Sequence, residues 1–196
     1  MGFGGSLFVK VRYELDGAKL KIIIEARTPE TSLCNFTNHS YFNLDYSGSL
    51  KNHYLLVKSD EIVELDNNKL PTGRLLNVDG SKFDFRSETK LSDQCGSVAS
   101  LDNNFCFSSS ATELCEVAEL VASGCKMVLS TTEPGLQVYT GLSLSPPLKP
   151  FQGIALEPQL WPDSPNNEGF PNAFLRAGEV YKQVTEYTFS NTCSFK

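Results

Sequence analysis

Long hydrophobic runs are missing from this chain. No stretch of its 196 residues approaches the ~18 consecutive apolar positions that a membrane-crossing helix needs, which argues against a membrane partner. Basic charge is scarce. Lys and Arg number 17 against 23 Asp and Glu, for a net charge of -6, so nucleic acid and anionic lipid are poor partners. The acidic residues are scattered rather than blocked, and read as solubility. Histidine occurs only twice, at His39 and His53. The chain has six cysteines, at 34, 95, 106, 115, 125 and 193, but no C-x-x-C spacing, so a zinc cluster is not expected. Residues 1–10 lack the basic segment and apolar stretch of a secretory signal. The cysteines therefore read as reduced thiols of a cytoplasmic protein. Walker, G-x-G-x-x-G, H-E-x-x-H and G-x-S-x-G patterns are absent, so nucleotide, zinc-protease and serine-hydrolase readings lose support. No repeat, low-complexity tract or linker divides the chain, and one domain over 1–196 is expected.

Strand signals are what the sequence holds in abundance. Leu7, Val9, Val11 and Tyr13 alternate with Phe8, Lys10, Arg12 and Glu14. After the turn residues Asp16-Gly17, Leu20, Ile22, Ile24 and Ala26 alternate with Lys21, Ile23, Glu25 and Arg27. This two-residue period predicts a β-hairpin. Further strands are expected at 52–58, 61–65, 104–109, 125–132, 136–141, 152–157 and 180–190. Pro71-Thr72-Gly73, Asp79-Gly80 and Glu133-Pro134-Gly135 read as turns. Residues 114–121 fit helical spacing through Leu114, Val117, Ala118 and Val121, and strand spacing through Cys115, Val117, Glu119 and Val121. The surrounding strands favour the strand. Many short strands suggest a sandwich or barrel.

Two runs stand out chemically. In the first, Gly153 to Asn166, Glu157 ends a short apolar strand and a loop rich in Pro, Asp and Asn follows. Such a loop holds a carboxylate still at the rim of a cleft, with Asp163-Ser164-Pro165-Asn166 as scaffold. The second, Asn35 to Leu44, packs Asn35, Thr37, Asn38, Ser40 and Asn43 around His39, Tyr41 and Phe42. Amides bind hydroxyls and rings stack on C–H faces, a mixture that suits a sugar. One fixed carboxylate and one fixed imidazole make a minimal proton-transfer pair. His39 read alone is more often a core histidine than a catalytic one. His53, at the start of a strand, reads as structural, and Arg86 as an ion-pair partner. Asp102-Asn103-Asn104 reads either as a turn with an Asx cap or as part of the site.

At these residues the chain resembles the aldose 1-epimerase (galactose mutarotase) family. Asn35 to Leu44 resembles its histidine motif, and Leu70 to Arg86, with Phe83-Asp84-Phe85-Arg86, its middle segment. Leu101 to Phe105 resembles a motif in which Asn103 here stands where His is common. Thr131 to Gly141 resembles its strand pair, and Gly153 to Tyr181 its closing segment. These motifs follow the family's order across nearly the whole chain. Leu142-Ser143 departs from the Asn-Phe usual after the Tyr-Thr-Gly of that strand pair.

The resemblance implies an all-β fold, a large antiparallel β-sandwich of the galactose mutarotase-like type. It implies interconversion of α and β anomers of hexoses such as galactose and glucose, with no cofactor. Glu157 would be the base that takes the C1 hydroxyl proton and His39 the acid that protonates the ring oxygen. Asp102 would hold sugar hydroxyls, with Gln159 and Asn38 close by. It also implies a further N-terminal portion that supplies an arginine, an asparagine and another histidine to the site. No histidine precedes His39 here, so the chain reads as a truncated product, an incomplete sequence or a divergent short form, with strand partners expected to be missing and open to self-association through exposed sheet edges. Two other readings stay open: an inactive carbohydrate-binding module, and a fragment that needs a partner chain.

Overall fold

A computed structural model describes residues 3–107 and 113–192. Its strands are β1 (Phe8–Asp16), β2 (Lys19–Arg27), β3 (Ser32–Leu33), β4 (Tyr41–Phe42), β5 (Tyr54–Val57), β6 (Glu61–Leu65), β7 (Pro71–Asn77) and β8 (Thr89–Lys90). They continue as β9 (Asp102–Cys106), β10 (Cys115–Ala122), β11 (Cys125–Thr131), β12 (Gly135–Tyr139), β13 (Ile154–Gln159), β14 (Phe174–Leu175) and β15 (Tyr181–Asn191). One 3-10 turn, Ser164–Asn166, follows β13. Among the described residues no helix is long and apolar enough to cross a membrane.

Two antiparallel sheets carry the fold. The seven-stranded sheet has the order β1-β2-β15-β11-β10-β5-β8, and the six-stranded sheet the order β4-β13-β12-β9-β6-β7. β14 and β3 form a small separate pair. The all-β sandwich expected from the sequence is the fold observed. Between the sheets Ile22, Ile24, Leu55, Val57, Ala118, Leu120, Met127, Leu129 and Tyr187 meet Ile62, Phe105, Leu136, Val138, Ile154 and Leu156 in one buried cluster. Each Val, Leu, Ile, Phe or Met side chain among them contributes roughly 1.5–3 kcal/mol when fully buried.

The first hairpin forms as its alternation requires. β1 and β2 pair from Phe8↔Arg27 to Asp16↔Lys19, leaving Gly17-Ala18 as a two-residue loop with Gly17 at φ 56. The ambiguous segment is the strand β10, paired with both β11 and β5. Three local expectations change. Pro71-Thr72-Gly73 opens β7 instead of turning; the turn lies just before it, where the Asp66 carboxylate accepts N–H groups from Asn68 and Leu70. Asp102-Asn103-Asn104 is not an Asx-capped turn, because β9 starts at Asp102 and pairs with β12. The strand expected at 104–109 is observed to Cys106, and 108 and 109 lie outside the described residues.

Candidate active site

β13 is the centre of the site. Ile154 and Leu156 point into the core, so Ala155, Glu157 and Gln159 line the opposite face. The ladders bring further residues to that face. Gln137 of β12 lies opposite Glu157, and Asn104 of β9 lies opposite Gln137. One step along, Tyr139 and Asp102 extend the row from Ala155, and Tyr41 of β4 closes it on the other side. Ala155 is too small to fill its place, and the rings of Tyr41 and Tyr139 stand 6.3 Å apart above it.

His39 enters from the loop before β4. Its ring packs on Tyr41 at 5.0 Å and on Tyr139 at 6.5 Å. Its Nε2 sits 3.4 Å from Oε1 of Glu157. The imidazole is half exposed whereas the carboxylate is buried. Burial pushes the Glu157 pKa up, His39 opposes that shift, and the Asp102 charge adds to it. A carboxylate raised in this way is a better proton acceptor near neutral pH than an exposed one.

Two clamps hold the pair. Asn35 Oδ1 accepts the Leu160 N–H at 2.9 Å, and Asn35 Nδ2 donates to the Leu160 carbonyl at 3.2 Å. This reciprocal amide pair ties the histidine loop to the chain just beyond Glu157. The second clamp is Trp161. It packs edge-on against Phe170 at 5.2 Å and donates from Nε1 to the Pro134 carbonyl at 2.7 Å. A Cβ on Gly135 would stand 2.8 Å from Trp161 Cδ1, so only glycine lets the indole lie against β12. The following loop is braced as expected, with the Asn167 amide donating to the Asp163 carbonyl and Asn166 bonded to the Asp163 side chain.

Asp102 is exposed, and its Oδ1 accepts Gln137 Nε2 at 2.8 Å. Gln159 lines a cavity of about 170 Å³ with Asp102, Asn104 and Gln137. The Asn38 side-chain Oδ1 accepts the Ser40 N–H at 3.2 Å, so that oxygen shapes the histidine loop. The structure thus brings His39, Glu157, Asp102 and Gln159 to one surface, with Asn38 beside it. A larger cavity of about 490 Å³, walled by Leu7, Cys34, Phe36 and Trp161 among others, includes none of those four. Gln137 and Tyr139 were given no role from the sequence, and Asn104 only an undecided one. Their signal was a polar or aromatic residue at every second position of an apolar strand. Asn104 is 2% exposed, and its Oδ1 carries no hydrogen bond among the described residues.

The remaining chemical residues are structural. His53 is fully buried, accepts the Leu44 N–H on Nε2 at 2.8 Å, and has its pKa lowered by burial. Arg86 gathers Asp60, Asp79 and Asp84. Cys34, Cys95, Cys106, Cys115 and Cys125 are free thiols, and Cys193 lies outside the described residues. Among the described residues no group of three or more His, Cys, Asp and Glu is arranged to hold a metal ion.

The sequence model of the aldose 1-epimerase family matches residues 1–188. A galactose mutarotase from Mus musculus is 38% identical over 202 residues, which are 96% of this chain and 59% of the mouse protein. An aldose 1-epimerase from Escherichia coli K12 is 35% identical over 207 residues, 96% of this chain and 60% of that protein. Among solved structures, an aldose epimerase homologue from C. elegans matches with a TM-score of 0.89 at 29% identity, covering 98% of this chain and 62% of that one. A galactose 1-epimerase from Lactobacillus acidophilus matches with a TM-score of 0.83 at 26% identity, covering 96% of this chain and 58% of that one. The chain spans about three fifths of the length of the curated relatives it matches.

Proposed function

The chain belongs to the aldose 1-epimerase family, and from that premise we propose that it interconverts the α and β anomers of hexoses such as galactose and glucose by acid–base ring opening. The observation that carries the proposal is the 3.4 Å approach of His39 Nε2 to Glu157 Oε1 on a sheet face lined with amides and aromatic rings. The geometry supplies the two groups the reaction needs. Glu157 takes the proton from the C1 hydroxyl while His39 gives one to the ring oxygen. The C1–O bond to the ring breaks and an open aldehyde forms. Rotation about C1–C2 presents the other face of the carbonyl, and the reverse transfers close the ring as the opposite anomer. Each well-placed acid or base is worth ~10²–10⁴-fold.

Specificity comes from the residues around the pair. Asp102, held by Gln137, accepts from sugar hydroxyls, and Gln159, Asn104 and Asn38 offer amides to others. Tyr41 and Tyr139 offer faces to the C–H surface of the ring. The role of Gly141-Leu142-Ser143 is to anchor Tyr139, whose hydroxyl accepts the Ser143 N–H at 2.7 Å. A cytoplasmic setting accords with the free thiols, of which Cys34 and Cys106 are buried and pushed up to about 12 by burial.

The test is polarimetry of freshly dissolved α-D-galactose and α-D-glucose with the purified chain. A first-order approach to equilibrium that scales with protein concentration supports the proposal. Sugar binding by calorimetry with no acceleration would replace it with a binding role, and absence of both would refute it.

A further inference from the structure

Tyr181, Gln183, Thr185 and Tyr187 occupy every second position of β15. Such a row lies on one face of a strand, and here the face is the one toward the other sheet. Tyr187 belongs to the core cluster, and Gln183 and Thr185 are buried with it. A plain core strand would be apolar at these positions. A polar group taken from water is costly unless it gains a hydrogen bond. What each of these side chains holds inside the sandwich therefore indicates why it is there.

Gln183 Nε2 donates to the Pro158 carbonyl at 2.7 Å, and the Tyr187 hydroxyl donates to the Leu156 carbonyl at 3.4 Å. Both bonds cross from the seven-stranded sheet to β13 of the six-stranded sheet. Their acceptors stand on either side of Glu157 in the chain. β4 pairs with β13 at Ile154 and Ala155, and Pro158 has no N–H to give to a ladder. The backbone around Glu157 is thus gripped by side chains of the opposite sheet. A strand's backbone decides where its side chains point, so these two bonds fix the direction of the Glu157 carboxylate. Burial raises the Tyr187 pKa, and the Glu157 charge adds to the rise.

Tyr181 serves the other arm of the site. Its ring packs edge-on against Phe36 at 5.8 Å, and its hydroxyl donates to Glu133 Oε1 at 3.3 Å. Phe36 adjoins Asn35, whose amide clamps Leu160, and lies in the same loop as His39. Thr185 is the exception in the row. Its hydroxyl lies 3.5 Å from Thr131 Oγ1 of β11, within its own sheet. We propose that Gln183, Tyr187 and Tyr181 are positioning residues of β15 that hold Glu157 and His39 in place against each other from the opposite sheet. Their part in catalysis rests on the acid–base reading of that pair given above.

The consequence is specific. A displacement of ~1 Å at a reacting group can cost ~10²-fold in rate, and Glu157 and His39 approach to 3.4 Å. The residues that face the sugar stand elsewhere: Asp102 on β9, Gln137 and Tyr139 on β12, Tyr41 on β4. Loss of a grip from β15 therefore disturbs the proton-transfer pair and leaves the binding surface in place. Turnover falls while affinity holds.

Three variants of the whole chain test this. Gln183→Met keeps the side chain's length and removes the amide donor. Tyr187→Phe removes one hydroxyl and keeps the core's shape, so it remains informative if Gln183→Met does not fold. Thr185→Val, from the same buried row, is the control. In steady-state mutarotation of galactose the first two should lose ~10–10²-fold in kcat, with KM held within about twofold. Thr185→Val should keep the wild-type kcat even where its Tm drops. A second readout needs no turnover: proton–carbon NMR of the two histidine rings. The His39 signals should move in Gln183→Met and Tyr187→Phe and hold in Thr185→Val, while those of His53, buried and bonded to the Leu44 N–H, hold in all three. Wild-type kcat with unmoved His39 signals in both variants would overturn the proposal. An equal loss of kcat in Thr185→Val would do the same, because the row would then be structural only. A wild-type chain that equilibrates no sugar refutes the epimerase reading alone, and the His39 signals then decide the positioning.

Discussion

Glu133 gives the fold a stability that falls as pH rises. It sits in the turn between β11 and β12, at 5% exposure, with its N–H donating to Thr131 Oγ1. Its Oε1 accepts the Tyr181 hydroxyl at 3.3 Å, and its Oε2 has no hydrogen-bond partner among the described residues. Burial raises its pKa from 4.5 to about 7, the Tyr181 hydrogen bond opposing. The sign follows from proton counts. Between pH 4.5 and about 7 the folded chain holds a proton at Glu133 that the unfolded chain has released. Stability therefore declines through that window and levels off above it. A shift of this size corresponds to about 3 kcal/mol, and for a chain of this length to a Tm difference of about 6–12 °C. Carboxylates held low by their partners, such as Asp84 at about 2 beside Arg86, lose their contribution only at more acidic pH. The buried Glu157, whose pKa is also raised by burial, adds a decline of the same sign. Glu133→Gln removes the charge and keeps an acceptor for Tyr181. Thermal melts of the wild type and this variant at pH 5 and pH 8 are the assay. The variant should lose most of the pH dependence, gaining on the wild type by about 6–12 °C at pH 8 relative to pH 5. Parallel melting curves at the two pH values would refute the assignment.

Three further outcomes are expected. His39→Asn should slow mutarotation by ~10²–10⁴-fold while sugar affinity, read by calorimetry, changes little; lost binding with little kinetic change would make His39 a binding residue. Gln137→Leu should weaken sugar binding about tenfold by freeing Asp102 from its amide donor, with an unchanged Tm. An unchanged KM in steady-state kinetics would show that Asp102 needs no such support. Gly135→Ala should destabilise the fold by about 1–3 kcal/mol, since the new methyl meets Trp161 and the Asn104 amide. Trp161 is the only tryptophan, so its fluorescence should shift red in the same variant, and an unshifted spectrum with wild-type Tm would contradict the packing argument.

The strands with strict alternation were legible because each side chain's face is decided by its own backbone. β1, β2, β11 and β15 are of this kind. The segment 114–121 was ambiguous for a local reason. A bulge between Glu116 and Ala118 lets adjacent Val117 and Ala118 both be buried, which breaks the two-residue period and imitates helical spacing. β7 was hidden because Gly73, at φ 82, breaks its extended run. β3, β4, β8 and β14 have two residues each, too short to carry a period. In the site, Glu157 and His39 announced themselves through unusual neighbours and through motifs. Gln137 and Asn104 did not, because they meet Glu157 only through the strand order β13-β12-β9. That order is a long-range property, which no short window of sequence contains.

The most direct measurement compares wild type with Glu157→Gln in the polarimetric assay. The substitution removes a buried charge whose pKa the fold has raised, so the variant should melt at or above the wild-type temperature while its rate falls by ~10²–10⁴-fold. That fall equals about 2.7–5.5 kcal/mol of transition-state stabilisation. A folded variant that equilibrates the anomers at the wild-type rate would contradict the central claim that Glu157 is the base.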